Sequence, residues 1–125
     1  MKGYVDEYGR CWIEVAVRGL RREVILQALV DTGFDGWVCL PIGVASQLGL
    51  ELCSVQIAEL ADGTEIEQLV FAGEISFGDR WRAADTTLTN SRDALLGTAM
   101  LLDSILTVDF VDRTVEVVRK EQHAV

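Results

Sequence analysis

Histidine is nearly absent: the chain has one, His123, close to its C-terminus. Lysine is nearly as rare, with Lys2 and Lys120 alone. These shortages exclude chemistry. A Ser-His-Asp or Cys-His nucleophile needs an imidazole base held in a fixed place, and chain ends are where order is lost first. A P-loop needs its lysine between a glycine-rich loop and a helix, and neither lysine has that setting. Cys11, Cys39 and Cys53 are odd in number and form no C-x-x-C pair. Reduced, mostly buried thiols of a cytosolic protein are the expectation, with no metal site. An enzyme built from this chain would work with carboxylates and without a cofactor.

Positive charge is short too, 11 Lys and Arg against 20 Asp and Glu, a net charge of −9. Nucleic acid and anionic membranes would repel such a surface, so neither is expected as a partner. The longest apolar stretch, "VILQALV", is broken by Gln27 and far too short to span a bilayer. "MKGYVDEYGR" has polar and acidic residues where a secretory leader would be apolar, so a cytoplasmic location is expected. With 125 residues, half of them apolar, residues 1–125 read as a single domain able to bury a core.

What is present is mostly strand. In "CWIEVAVRG", Ile13, Val15 and Val17 alternate with Glu14, Ala16 and Arg18. "REVILQALV" starts by alternating and ends apolar on both faces, as a strand entering the interior does. "WVCLP" follows as a short strand. "PIGVASQLGL" then reads as a two-turn helix, with Pro41 in its first turn and Gly49 as its stop. "CSVQIAEL" and "EIEQLVFAGEISF" are joined through Asp62-Gly63, a two-residue hairpin signal. "WRAADTTL" is a further strand. "ALLGTAMLLDS" reads as a strand end, a glycine and a short helix, and "ILTVDFVDRTVEVV" as a closing hairpin. Short strands with frequent turns predict an all-β barrel or sandwich with little helix.

One stretch raises a chemical question. "ALVDTGFDG" runs three apolar residues into Asp31, then Thr32 and Gly33. As a bare tripeptide, Asp-Thr-Gly is a permissive turn. A calcium loop counted from Asp31 fails, because Gly33 and Ile42 occupy positions that need oxygen ligands. A carboxylate at the end of a buried strand is costly to ionise alone, unless backbone N–H groups approach it, which Gly33 permits. Downstream, "ALLGTA" echoes "ALVDTG" as an apolar run against a glycine.

Together these segments resemble the retropepsin-like aspartic proteases, particularly their soluble prokaryotic branch. The resemblance covers nearly the whole chain: "ALVDTGFDG", "WVCLP" with its helix, the "ADGTE" hairpin, "ALLG" and the last hairpin. It implies a retropepsin-like closed β-barrel with one or two short helices, forming half of a C2 homodimer. Asp31 would be catalytic. Thr32, Gly33, Leu95, Leu96 and Gly97 would support the loop, with Thr32 bracing its mate across the axis. Gly33, Asp35, Asp62 and Gly63 would meet an extended peptide, the last two as a flap, and the termini would interleave between subunits. Phe34 fits the prokaryotic branch. Viral members pair the residue at Asp35 with an arginine just after the glycine; here Thr98 stands there, and Arg92 is the candidate substitute. The expected activity is peptide hydrolysis by a dimeric aspartic endopeptidase. A non-catalytic peptide-binding or dimerisation module of the same fold is the alternative.

Overall fold

Alternation of apolar and polar side chains builds most of the chain into strands, and pairing between distant strands makes the fold. The computed structural model describes residues 1–76 and 80–120. Its elements are β1 (Lys2–Val5), β2 (Cys11–Arg18), β3 (Glu23–Val30), β4 (Val38–Pro41), α1 (Ile42–Leu48), β5 (Glu51–Glu59) and β6 (Glu65–Ser76). There follow β7 (Trp81–Thr89), β8 (Ala94–Leu96), α2 (Thr98–Leu101), β9 (Ser104–Asp109) and β10 (Thr114–Arg119). The strands form one sheet in the order β5-β6-β7-β4-β8-β3-β2-β1-β10-β9. A further β6–β2 pairing returns the ladder to itself, so that β2, β6, β7, β4, β8 and β3 are linked in a ring.

The core lies within that ring. Ile13, Val15 and Val17 of β2 point inward, as their alternation requires, beside Leu40, Leu48, Ile75, Leu96 and Met100. Helix α1 packs Ala45 and Leu48 on the core and ends at Gly49 in the left-handed conformation, φ 73°. The expected strands and both short helices are therefore present, while β1 was not anticipated. It lies between β2 and β10 of its own chain. The expected interleaving of termini is thus unavailable to residues 2–5, and residues 121–125, His123 among them, lie outside the described residues. So does Phe77, the end of the strand expected before β7.

Two expectations are corrected. The Asp62-Gly63 turn is not a two-residue primed turn: among the described residues Gly63 has a positive φ, +86°, and Asp62 does not. Gly63 N–H donates to the Leu60 carbonyl at 2.9 Å and Leu60 N–H to the Thr64 carbonyl at 2.7 Å. This is a three-residue loop closed by a left-handed glycine. The thiols are also less uniform than expected. Cys39 is buried, Cys11 is half-buried and Cys53 is exposed on β5. Burial pushes the Cys39 and Cys11 thiols up from their ordinary pKa.

Candidate active site

The loop after β3 is held by the strand it lies beside. Strand β8 runs parallel to β3, with Ala28 beside Ala94, Leu29 beside Leu95 and Val30 beside Leu96. On its other side β8 pairs with β4, so the chain leaving β3 must loop over the end of β8 to reach β4. Residues 31–37 make that crossing. Asp31 N–H donates to the Leu96 carbonyl at 2.9 Å, and Gly97 N–H to the Trp37 carbonyl at 3.0 Å. Thr98 N–H donates to the Phe34 carbonyl at 2.8 Å and Ala99 N–H to the Gly36 carbonyl at 3.1 Å. A loop whose two ends and middle are bound to one neighbouring segment has little freedom to move its carboxylate.

Gly97 is what lets the two segments meet. A Cβ there would collide with the Gly36 carbonyl oxygen and lie 2.7 Å from that of Phe34. Any side chain would push the β8 end off the loop. Leu95 and Leu96 supply the strand beneath, Leu96 with no exposed surface. The structure therefore brings Asp31, Leu95, Leu96 and Gly97 together, and Thr98 Oγ1 donates to the carbonyl of Phe34, 64 residues before it.

The Asp31 side chain is half-exposed, at the rim of the core and open to solvent. Gly33 N–H donates to its Oδ1 at 2.9 Å, turning the carboxylate back over the loop. That bond leaves Oδ2 to meet a reactant. Thr32 and Gly33 are exposed at the loop surface. Asp35 is also exposed and borders a cleft of about 220 Å³ with Trp37, Gln56, Val70, Asp85 and Thr87. Gln56 and Val70 belong to the β5–β6 hairpin, so this cleft is the space between the hairpin's base and the Asp31 loop.

Asp62 and Gly63 sit at the hairpin's far tip, where Thr64 holds the Asp62 carboxyl below the usual carboxylate range through its hydroxyl and N–H. Among the described residues no hydrogen bond or ion pair joins either to the Asp31 loop. Arg92 is not a substitute partner for Asp35: no ion pair or hydrogen bond joins them. It precedes β8, whereas Asp35 lies beyond the strand's other end, by Gly97. Gly36, Asp85 and Gln56 were missed from the sequence. Gly36 alone had a signal, as a second glycine within "DTGFDG". Two of the three tryptophans are held in structural contacts, while Trp37 lines the cleft. Trp12 Nε1 donates to Asp6 at 2.8 Å, and the Arg18 guanidinium lies 4.0 Å over the Trp81 ring. Among the described residues, no three His, Cys, Asp or Glu side chains group as metal ligands. Among the described residues, no helix is long and apolar enough to cross a membrane.

No protein-family model and no curated relative matches the chain. Solved structures do. A retropepsin-like aspartic protease from Rickettsia conorii superposes with a TM-score of 0.65 at 16% identity, over 92% of this chain and 86% of that one. The protease of Simian Foamy Virus (mac) matches with a TM-score of 0.57 at 18% identity, over 73% of this chain and 91% of that one. The ring of strands, the loop crossing over β8 and these likenesses lead to one structural conclusion: the chain has the retropepsin-like fold.

Proposed function

We propose that the protein is an aspartic endopeptidase whose site is completed by a second copy of the chain. The observation that carries this reading is the position of Asp31. It is a carboxylate hydrogen-bonded by Gly33, anchored through its own N–H to Leu96, and open to solvent on a retropepsin-like fold. Metal-free hydrolysis of a peptide bond by carboxylates needs one to take a proton from water while another protonates the substrate. The loop supplies one. A twofold axis beside it supplies its mate, so that two Asp31 side chains hold one water between them.

Aspartic-protease dyads are the reference case for two carboxylates that cannot both ionise at close range. The two Asp31 groups would be equivalent by the twofold. Water would attack the substrate carbonyl directly, with no covalent intermediate. Thr32 would brace the two loops at the axis. A peptide would lie extended between the Asp31 loop and the β5–β6 hairpin, against the Gly33 carbonyl and Asp35, with Asp62 and Gly63 closing over it.

The test compares wild type with Asp31→Asn on a mixed peptide library across pH, with dimer mass measured on both. Loss of cleavage with the dimer retained supports the reading. Unchanged cleavage in Asp31→Asn refutes it. Saturable peptide binding without cleavage in both proteins identifies the non-catalytic module instead.

A further inference from the structure

A second cavity, of about 320 Å³, opens at the end of β4 away from the Asp31 loop, where α1 begins. It shares no residue with the cleft beside Asp35. Ile42 and Ala45 of α1, Leu50, Phe71 of β6 and Leu88 of β7 make its walls apolar. The two cavities lie on opposite sides of the same pair of strands. Val70 and Thr87 face the cleft, while their neighbours Phe71 and Leu88 face the second cavity, as alternation along a strand requires.

Only two lining side chains carry polar groups. The Ser46 hydroxyl donates to the Gly43 carbonyl of its own helix, at 3.0 Å. Arg21 is different. Its backbone is fixed at the rim, with its N–H donating to the Leu48 carbonyl at 2.9 Å and Leu20 N–H to the Gly49 carbonyl at 3.0 Å. Its side chain is exposed and, among the described residues, has no ion pair or hydrogen bond. Among the same residues no Asp or Glu lines the cavity. A guanidinium held at the mouth of an apolar hole, in a chain of net charge −9, is complementary to one carboxylate.

We infer that this cavity binds a small monocarboxylate, its acid group on Arg21 and its hydrocarbon body among Ile42, Leu50, Phe71 and Leu88. A peptide fits poorly, because its amide groups would be buried against walls that offer no side-chain partner. The volume lies at the small end of ligand sites, about 300–1,000 Å³, which suits a medium-chain acid. Binding there does not depend on what Asp31 does. The acid leans on the reverse face of the strands that wall the Asp31 cleft, so its presence stiffens the base of the β5–β6 hairpin.

Octanoate is the probe, with octan-1-ol and octan-1-amine as controls of the same length. Calorimetry should give one octanoate site per chain with a dissociation constant below about 1 mM. The alcohol should bind about ten-fold or more weakly, and so should the amine, although the net charge would otherwise attract a cation. Hydrogen exchange at residues 69–73 should slow when octanoate is bound. Arg21→Gln should weaken octanoate about ten-fold or more and leave the alcohol unchanged. Ser46→Trp, at an exposed position of α1, fills the cavity and should abolish binding of both. Circular dichroism checks that the two variants fold. Octanoate that does not saturate, that binds no better than the alcohol, or that both variants retain overturns the proposal. In the second case Arg21 serves only the end of α1.

Discussion

At Gly97 two segments of chain approach more closely than any side chain permits, and Asp31 takes its position from that approach. Gly97→Ala must push the Phe34 and Gly36 carbonyls aside. An overpacked site of this kind costs about 1–3 kcal/mol. Chemical denaturation should show that loss, and cleavage should fall further than stability, because the displaced part is the loop that aims the carboxylate. A Gly97→Ala protein with full activity would show that the contact is not needed. At this scale Asp31, Leu96 and Gly97 were legible in the sequence, because an apolar run against Asp-Thr-Gly and a second run against glycine are local patterns. Gly36 was missed, since what a side chain there would meet is the Phe34 ring, a contact that exists only once the loop has folded back on itself. The Arg92 idea failed for the same reason: nearness in sequence to β8 does not say which end of the strand an arginine occupies.

The β5–β6 hairpin is the element that would close over substrate, and its chemistry sets two expectations. Gly63 holds φ +86°, so Gly63→Val should destabilise the hairpin by roughly 1–2 kcal/mol while leaving the Asp31 loop intact. Hydrogen exchange at residues 59–66 would register that change. The hairpin and the cleft at its base are acidic, with Glu59, Asp62, Glu65 and Glu67 above and Asp35 and Asp85 below. Acidic peptides should therefore be cleaved less efficiently than neutral ones, chiefly through weaker binding, and the difference should shrink as salt is added. Equal KM values for both peptide classes at low salt would contradict this. Elements with clear alternation, such as β2 and β6, were read correctly because burial of one face writes itself into the sequence. Strand β1 was not, because four residues carrying Gly3 and Tyr4 show no period. Their strand character depends on β10, more than a hundred residues away.

For the whole molecule, acid is the condition that matters most. Partial desolvation opposes ionisation of Asp6, yet hydrogen bonds from Trp12, Arg10 and Tyr8 outweigh it and hold its carboxyl well below the usual range. The Arg119 guanidinium at 2.8 Å, helped by Ser104 and Arg82, lowers Asp103 in the same sense. A carboxyl depressed in the folded state stabilises it above its ordinary value near 3.8, and that contribution is lost as pH falls through the folded value. Asp103→Asn should accordingly melt below wild type at neutral pH, with the gap narrowing under pH 3.8. A gap that widens in acid would contradict the sign.

The capture of β1 between two strands of its own chain has one further consequence. Protomers that keep this first strand to themselves can part and find new mates without pulling it out of the sheet. If the proposed two-subunit site holds, wild type mixed with Asp31→Asn should trade subunits freely, each inert copy silencing the one it joins.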